Sequence, residues 1–238
     1  MEISKLLVNK IISGQGTEAE KLAAVEYDGS LIAYLNNPSE EIKKAAVMKN
    51  PYALKFITDP TNELLEFVAK ESPSAAAYIE KPTANQIKIL IKANPKCIRY
   101  IRKGITKTHW IDCISRCLSL IRYIPRDVLT KDICRQVGLS DYTMIGHIPS
   151  RFIDKSLAKE FVQAHGLSIQ YLNPEVLTDE IKILAIKNDR MAGKYVKSIG
   201  DVSSLMPLID DNKEIIDYLT PMVMREVCLK YRERFLEE

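Results

Sequence analysis

At 238 residues, 46% hydrophobic and 27% charged, the chain is too apolar for a disordered protein and long enough for one large folded domain or two small ones. Its formal net charge is only +3, and its five cysteines have no disulfide-scaffold spacing, so they read as free thiols in a reducing compartment. The longest apolar runs, such as Leu31–Leu35, reach five residues against the roughly 20 needed to span a bilayer, which excludes an apolar transmembrane helix and makes a cytoplasmic location the default expectation.

The opening MEISKLLVNKIISG has Lys5 and Lys10 cutting its apolar residues. It reads as an amphipathic helix over 3–13 closed by Gly14, not as a secretory core. After it, an aromatic followed by an aliphatic residue recurs down the chain. The anchors are Tyr34, Phe56, Tyr78, Tyr100, Tyr123, His147, Tyr171, Tyr195 and Tyr218, spaced by 22 to 24 residues. Two positions before them stand Ile32, Leu54, Ile98, Ile121, Ile145, Ile169 and Ile216, with Ala76 and Gly193 as exceptions.

Two further columns agree with this frame. Seventeen residues before each anchor stand Thr17, Ser39, Thr61, Thr83, Thr106, Thr130, Asp154, Thr178 and Asp201, all good helix N-caps. Thr17 with Glu20 and Thr83 with Gln86 complete capping boxes. Six residues before the anchor a second cap column runs through Asp28, Asn50, Ser72, Asn94, Asp141, Asp189 and Asn212, interrupted by Cys117 and His165. Pro51, Pro73 and Pro95 follow three of these caps, preset for a first helical turn. Each unit therefore predicts a helix A of about ten residues, a sharp turn and a helix B of about seven. Helices this short are marginal alone, so stacking on neighbours must supply the burial. A last helix is expected over 221–236, opened by Thr220 and Pro221, with Val223, Val227, Tyr231 and Phe235 near helical spacing.

The fold expected is all-α: a curved α-solenoid of about nine short helix–turn–helix repeats, HEAT-like in its stacking. It is read as a single domain over 1–238, with capping helices in 1–16 and 220–238 and the repeats over 17–219. The run from Glu41 to Phe56, with Ala45-Ala46-Val47 and Asn50-Pro51-Tyr52-Ala53-Leu54-Lys55-Phe56, resembles a family of short two-helix repeats of unknown function. That family's unit reads roughly A-V-x-x-N-[PG]-x-A-L-x-[YF] and occurs in bacteria, bacteriophages and large DNA viruses. The resemblance is close over 39–101 and degenerates later. It implies a repeat fold and a phage or bacterial origin, and it carries no catalytic residue.

Walker A, G-x-G-x-x-G, H-E-x-x-H, G-x-S-x-G and EF-hand patterns do not occur, so no catalytic residue, metal or cofactor is assigned. His109, Cys113 and Cys117 stand at i, i+4 and i+8 on one helix face, where Cys134 or Cys97 could complete a zinc site. In the repeat frame, however, Cys113 takes the core place of Ala24, Ala46, Val68 and Leu90, so packing is the preferred reading. Trp110 matches Ile87 and Leu65 and is read as core. The tyrosine ladder is read mainly as an inter-repeat packing column. His147 and His165 sit in no motif.

Charge is more informative. Residues 84–136 hold twelve Lys or Arg against Asp112, Asp127 and Asp132, whereas 1–83 and 137–238 each carry an acidic excess. Lys96, Arg99 and Lys103 are predicted on one stripe of helix B, Arg102 lies beside them, and Arg122 and Arg126 hold corresponding places one repeat on. Stacking should bring the two stripes roughly 10 Å apart. The expectation is a non-enzymatic interaction protein that binds a partner with an acidic surface through Lys96, Arg99, Arg102, Lys103, Arg122 and Arg126. If the family resemblance holds, a phage-encoded inhibitor or adaptor directed at a host or defence protein is its sharper form. The alternative is a nucleic-acid-binding helical-repeat protein, DNA-glycosylase-like in its lack of short signatures. No small-molecule substrate is indicated.

Overall fold

A computed structural model describes the backbone of residues 5–237 and the side chains of 8–232. Among the described residues it is all helical, with no strand, and consecutive short helices pack in chain order as a repeat array. None of these helices is long and apolar enough to cross a membrane. The chain divides into two compact units, 1–123 and 124–238.

The first unit opens with α1 (Lys5–Ile12), closed by Gly14 in the left-handed region at φ 79°. Five repeats follow, whose helices are α2 (Glu18–Tyr27), α3 (Glu40–Lys49), α4 (Asn62–Glu71), α5 (Ala84–Ala93) and α6 (Lys107–Arg116). Each has ten residues and begins at the expected cap. Thr17, Ser39, Thr61, Thr83 and Thr106 accept hydrogen bonds from the backbone N–H groups of Glu20, Ile42, Leu64, Gln86 and His109. The two capping boxes form as expected. A third joins them: the ring Nδ1 of His109 accepts from the Thr106 N–H at 3.1 Å.

The second half of each repeat differs from expectation. Helix B is a 3₁₀ segment of five or six residues: Gly29–Tyr34, Pro51–Phe56, Pro73–Tyr78, Pro95–Arg99 and Leu118–Tyr123. The physical reason is length. A segment this short closes few i to i+4 bonds, whereas i to i+3 bonds satisfy more of its backbone. In the second repeat, for example, Ala53 N–H donates to Asn50 and Ile57 N–H to Leu54. The caps suit this geometry too: Asp28, Asn50 and Asn94 accept from the N–H two residues on.

Three-residue periodicity then sorts the side chains. Positions two before and one after the anchor share a face and point inward, as with Leu54 and Ile57, both buried in the cluster of Val25, Ile32, Ile42, Val47, Leu64 and Val68. The anchor itself points out. Tyr34 is 54% exposed, Phe56 39% and Tyr123 45%, so the aromatic ladder is largely a surface column and not the packing column the sequence suggested.

Neighbouring repeats also pin one another through polar groups. The Asn94 amide donates to the Ala69 carbonyl at 3.0 Å, and Arg116 donates to those of Ile91 and Lys92 at 2.8 and 3.2 Å. Both cap carbonyls at the end of the preceding helix A, which have no partner within it.

An ion pair of 2.6 Å between Lys10 and Glu20 ties α1 to α2. The hydrogen bond from Lys10, helped by the Thr17 N–H, holds the Glu20 carboxyl at about 2 instead of 4.5. A carboxyl whose folded value is depressed stabilises the fold above its unfolded value and loses that contribution as pH falls towards the folded one. Docking of α1 is therefore expected to loosen between about pH 4.5 and 2. Amide exchange in α1 measured across that range should rise before exchange in α4, and Glu20→Gln should remove the pH step.

The second unit repeats the plan with α7 (Lys131–Ser140), α8 (Lys155–Ala164), α9 (Asp179–Asn188) and α10 (Met206–Asp211), and ends in α11 (Pro221–Glu237). Its anchor-bearing 3₁₀ segments are Tyr142–His147, Gly166–Tyr171, Arg190–Tyr195 and Lys213–Tyr218. Short additional 3₁₀ turns, Ser150–Phe152, Pro174–Val176 and Val202–Ser204, take up the longer intervals between repeats. The last repeat departs from the plan. Asp201 caps Val202–Ser204 and not an α-helix, and α10 has only six residues. Pro207 accounts for this, because a ring without an N–H is tolerated only in a first helical turn. In α11 Val223 and Val227 are buried and the Tyr231 hydroxyl bonds Asp210 at 2.7 Å; the Phe235 side chain lies outside the described residues.

Candidate functional site

Five of the six predicted cations lie in the first unit: Lys96, Arg99, Arg102, Lys103 and Arg122. All five are exposed. Arg126 falls three positions past the division, belongs to the second unit, and is exposed there.

The expected i, i+3, i+7 stripe does not form. The 3₁₀ segment ends at Arg99, and Lys103 stands in the following turn, beside Gly104 at φ 80°. Lys96 and Arg99 still share an edge, because residues three apart eclipse in a 3₁₀ turn. The next segment reaches Arg99 through its anchor. The Arg99 guanidinium carbon lies 3.6 Å from the centre of the Tyr123 ring and 5.3 Å from that of Tyr100. Such contacts are worth about 0.5–1 kcal/mol at an exposed site. They also hold the guanidinium in place while it makes no ion pair or hydrogen bond among the described residues.

None of these five side chains makes an ion pair or side-chain hydrogen bond among the described residues, although ten other Lys or Arg side chains form ion pairs. That contrast refines the charge map. Arg116 is neutralised by Asp112 at 2.6 Å, Lys131 by Asp154 and Arg135 by Glu160, so these three members of the basic middle are locally spent. Lys96, Arg99, Arg102, Lys103 and Arg122 remain without an ion pair among the described residues, as do Lys49, Lys70, Lys88, Lys92 and Lys107 of the same unit.

The cysteine–histidine constellation resolves as packing. Cys97, Cys113 and Cys134 are buried, Cys117 partly so, and Cys228 is exposed. Burial pushes the Cys97 thiol up to about 12, with Cys113 adding to it, and the Cys113 and Cys134 thiols up to about 11, so all three stay protonated at neutral pH. His109 is committed to its capping box. Among the described residues no three His, Cys, Asp or Glu are grouped to hold a metal ion. Trp110 is buried, in line with its core assignment. His147 and His165 are exposed, His165 with its ring 5.5 Å from that of Tyr142.

The displaced carboxyl groups serve the scaffold. Glu18, Glu40, Asp154 and Asp179 are all held below their usual range, first by hydrogen bonds from Lys21, Lys43, Lys131 and Lys182 respectively. In the second unit a cavity of about 490 Å³ is bordered by Leu172, Leu177, Tyr195, Lys182, Lys194 and Lys197. Lys182 is already bound by Asp179 at 2.8 Å, and the Lys194 ammonium rests 4.9 Å from the Tyr218 ring centre.

One feature went unrecognised in the sequence. Tyr52, four positions before an anchor, joins Phe56 and Tyr78 in an outward cluster, with ring centres 5.5 and 5.0 Å apart. The three-residue spacing of Leu54 and Ile57 was the signal that could have placed Tyr52, with Lys55, in a separate outward row. In comparisons with family models, curated proteins and solved structures, the chain matches none.

Proposed function

We propose that this chain is a non-enzymatic protein-interaction module whose first unit captures an acidic surface of another protein through Lys96, Arg99, Arg102, Lys103 and Arg122. The observation that supports this reading is the close grouping of exposed cations that make no ion pair among the described residues, with the Arg99 guanidinium set on the Tyr123 ring. Complementary charge speeds encounter and selects the partner. A guanidinium already stacked on Tyr123 loses less freedom when its N–H edge meets a carboxylate than a loose side chain would. The resemblance of residues 39–101 to short repeats that occur in bacteria, bacteriophages and large DNA viruses suggests the sharper form of the reading: a phage-encoded inhibitor or adaptor directed at a host or defence protein.

Charge reversal tests it. The variant Arg99→Glu with Arg122→Glu should keep the helical circular-dichroism spectrum, because both side chains are exposed. Capture of the partner from host lysate should fall by more than about tenfold, and wild-type capture should weaken as salt is raised past a Debye length of about 10 Å. Undiminished capture by the folded variant contradicts the reading. A gel shift of nucleic acid at about 50 mM salt, lost in the same variant, replaces it with the nucleic-acid alternative.

A further inference from the structure

The cations occupy one end of a longer edge. The 3₁₀ segments Gly29–Tyr34, Pro51–Phe56, Pro73–Tyr78 and Pro95–Arg99 pack on one another in sequence within the first unit. Their outward rows change character along the way. The row that carries Tyr52 continues through Ser74 to Lys96, and the row that carries Lys55 continues through Ala77 to Arg99 and Arg122. Towards the N-terminus the edge is aromatic: Tyr34, Tyr52 and Phe56 are exposed, and Tyr52 meets Phe56 and Tyr78 edge to face at 81° and 84°. Towards the C-terminus it is cationic and unpaired. Half-exposed aromatics beside a preordered arginine are the composition of binding hot spots.

We infer that this edge receives an extended segment of the partner protein, about nine residues long. Its apolar end lies on Tyr52, Phe56 and Tyr78, and its carboxylate-bearing end on Arg99 and Arg122. The inference rests on the protein-interaction reading above and gives that partner's contact a form. The length follows from three repeat intervals of roughly 10 Å each, between Phe56 and Tyr123, against about 3.3 Å per residue of extended chain. Charge decides the orientation of the two ends: at the aromatic end Lys55 rests on Tyr52, with its ammonium 3.4 Å from the hydroxyl, whereas Lys96, Arg99, Arg102, Lys103 and Arg122 gather at the other. It also disfavours single-stranded nucleic acid. Residues 1–83 carry twelve Asp or Glu against nine Lys or Arg, which repels phosphates from the aromatic end. Rings set edge to face, moreover, do not offer the successive open faces on which bases stack.

Fluorescence anisotropy on the whole chain tests this with four labelled probes. They are a peptide of about ten residues with alternating Leu and Pro followed by a run of Glu, the same peptide with Gln for Glu, decaglutamate, and oligothymidylate of about ten nucleotides. The bipartite peptide should bind at least about tenfold more tightly than each of the others. Tyr52→Ser with Phe56→Ser should lower its affinity to that of decaglutamate and leave decaglutamate binding unchanged. If that variant binds the bipartite peptide as wild type does, or if the oligonucleotide binds most tightly, the inference is overturned. Arg99→Glu with Arg122→Glu should abolish binding of both acidic peptides. If it abolishes neither, the interaction reading itself fails, which separates the two outcomes.

Discussion

Phe161→Ala is expected to destabilise the second unit by about 3–5 kcal/mol, the range for truncating a fully buried aromatic ring. Phe161, on α8, is the largest fully buried side chain among the described residues. Its ring fills the space left by Gly138 of α7, where an added Cβ would stand 2.5 Å from Phe161 Cε1 and Cζ. The same residue's carbonyl accepts from the buried hydroxyl of Ser168 at 3.0 Å, so helix α8 and the following 3₁₀ segment are joined at this point. Urea unfolding measures the loss. A double-mutant cycle sharpens it, because Gly138→Ala should be costly in the wild type and close to neutral once the ring is gone. Equal costs in both backgrounds would mean that the two residues do not share the space.

Gly29→Ala is expected to cost about 1–3 kcal/mol, the range for overpacking. The sign is the informative part, since replacing a helical glycine by alanine ordinarily gains about 0.5–1 kcal/mol. Here a Cβ would meet the Ala46 carbonyl oxygen at 2.2 Å and Asn50 Cβ at 3.0 Å, and the first of these is backbone that cannot step aside alone. The glycine lets the first 3₁₀ segment lie against the C-terminal end of α3. Gly166 repeats the device against the Ala185 carbonyl at 2.6 Å, and Gly166→Ala should behave alike. An unchanged or higher urea midpoint for either variant would contradict this packing.

These glycines show where sequence reasoning reached its limit. Gly29 and Gly166 occupy the place that Pro51, Pro73 and Pro95 hold in other repeats, immediately after the cap, and in a sequence either residue type simply marks a turn. Only the distance to the next helix shows that glycine is required. The frame itself was legible because three independent columns, the anchor, the Thr/Ser/Asp cap and the second cap, kept one spacing. Eight of the nine first-column caps open a helix as expected, and Asp201 fails only because Pro207 delays the helix that should follow it.

Helix B, predicted from its cap and length as a helix of about seven residues, is a 3₁₀ segment of five or six. With the period set to three, the inward Leu54 and Ile57 fall in one row and the exposed Tyr52 and Lys55 in another, whereas the exposed Phe56 shares its row with the buried Ala53. The candidate surface was legible in composition and not in arrangement. The run from Lys96 to Arg122 announced the charge, but nothing in the spacing said that Arg99 would lie on the Tyr123 ring, or that Arg116 would be consumed by Asp112 and two carbonyls. Those outcomes depend on which side chains of adjacent repeats come within reach.

Neighbouring repeats hold each α-helix and 3₁₀ segment in place, and with them the edge that presents Arg99. Circular dichroism of a synthetic peptide spanning residues 83–104, compared with the intact chain, tests this most directly. An isolated helix below about 12 residues is marginal in water, so the peptide should be essentially coil at 222 nm while the intact chain is strongly helical. A peptide as helical per residue as the whole protein would contradict the account.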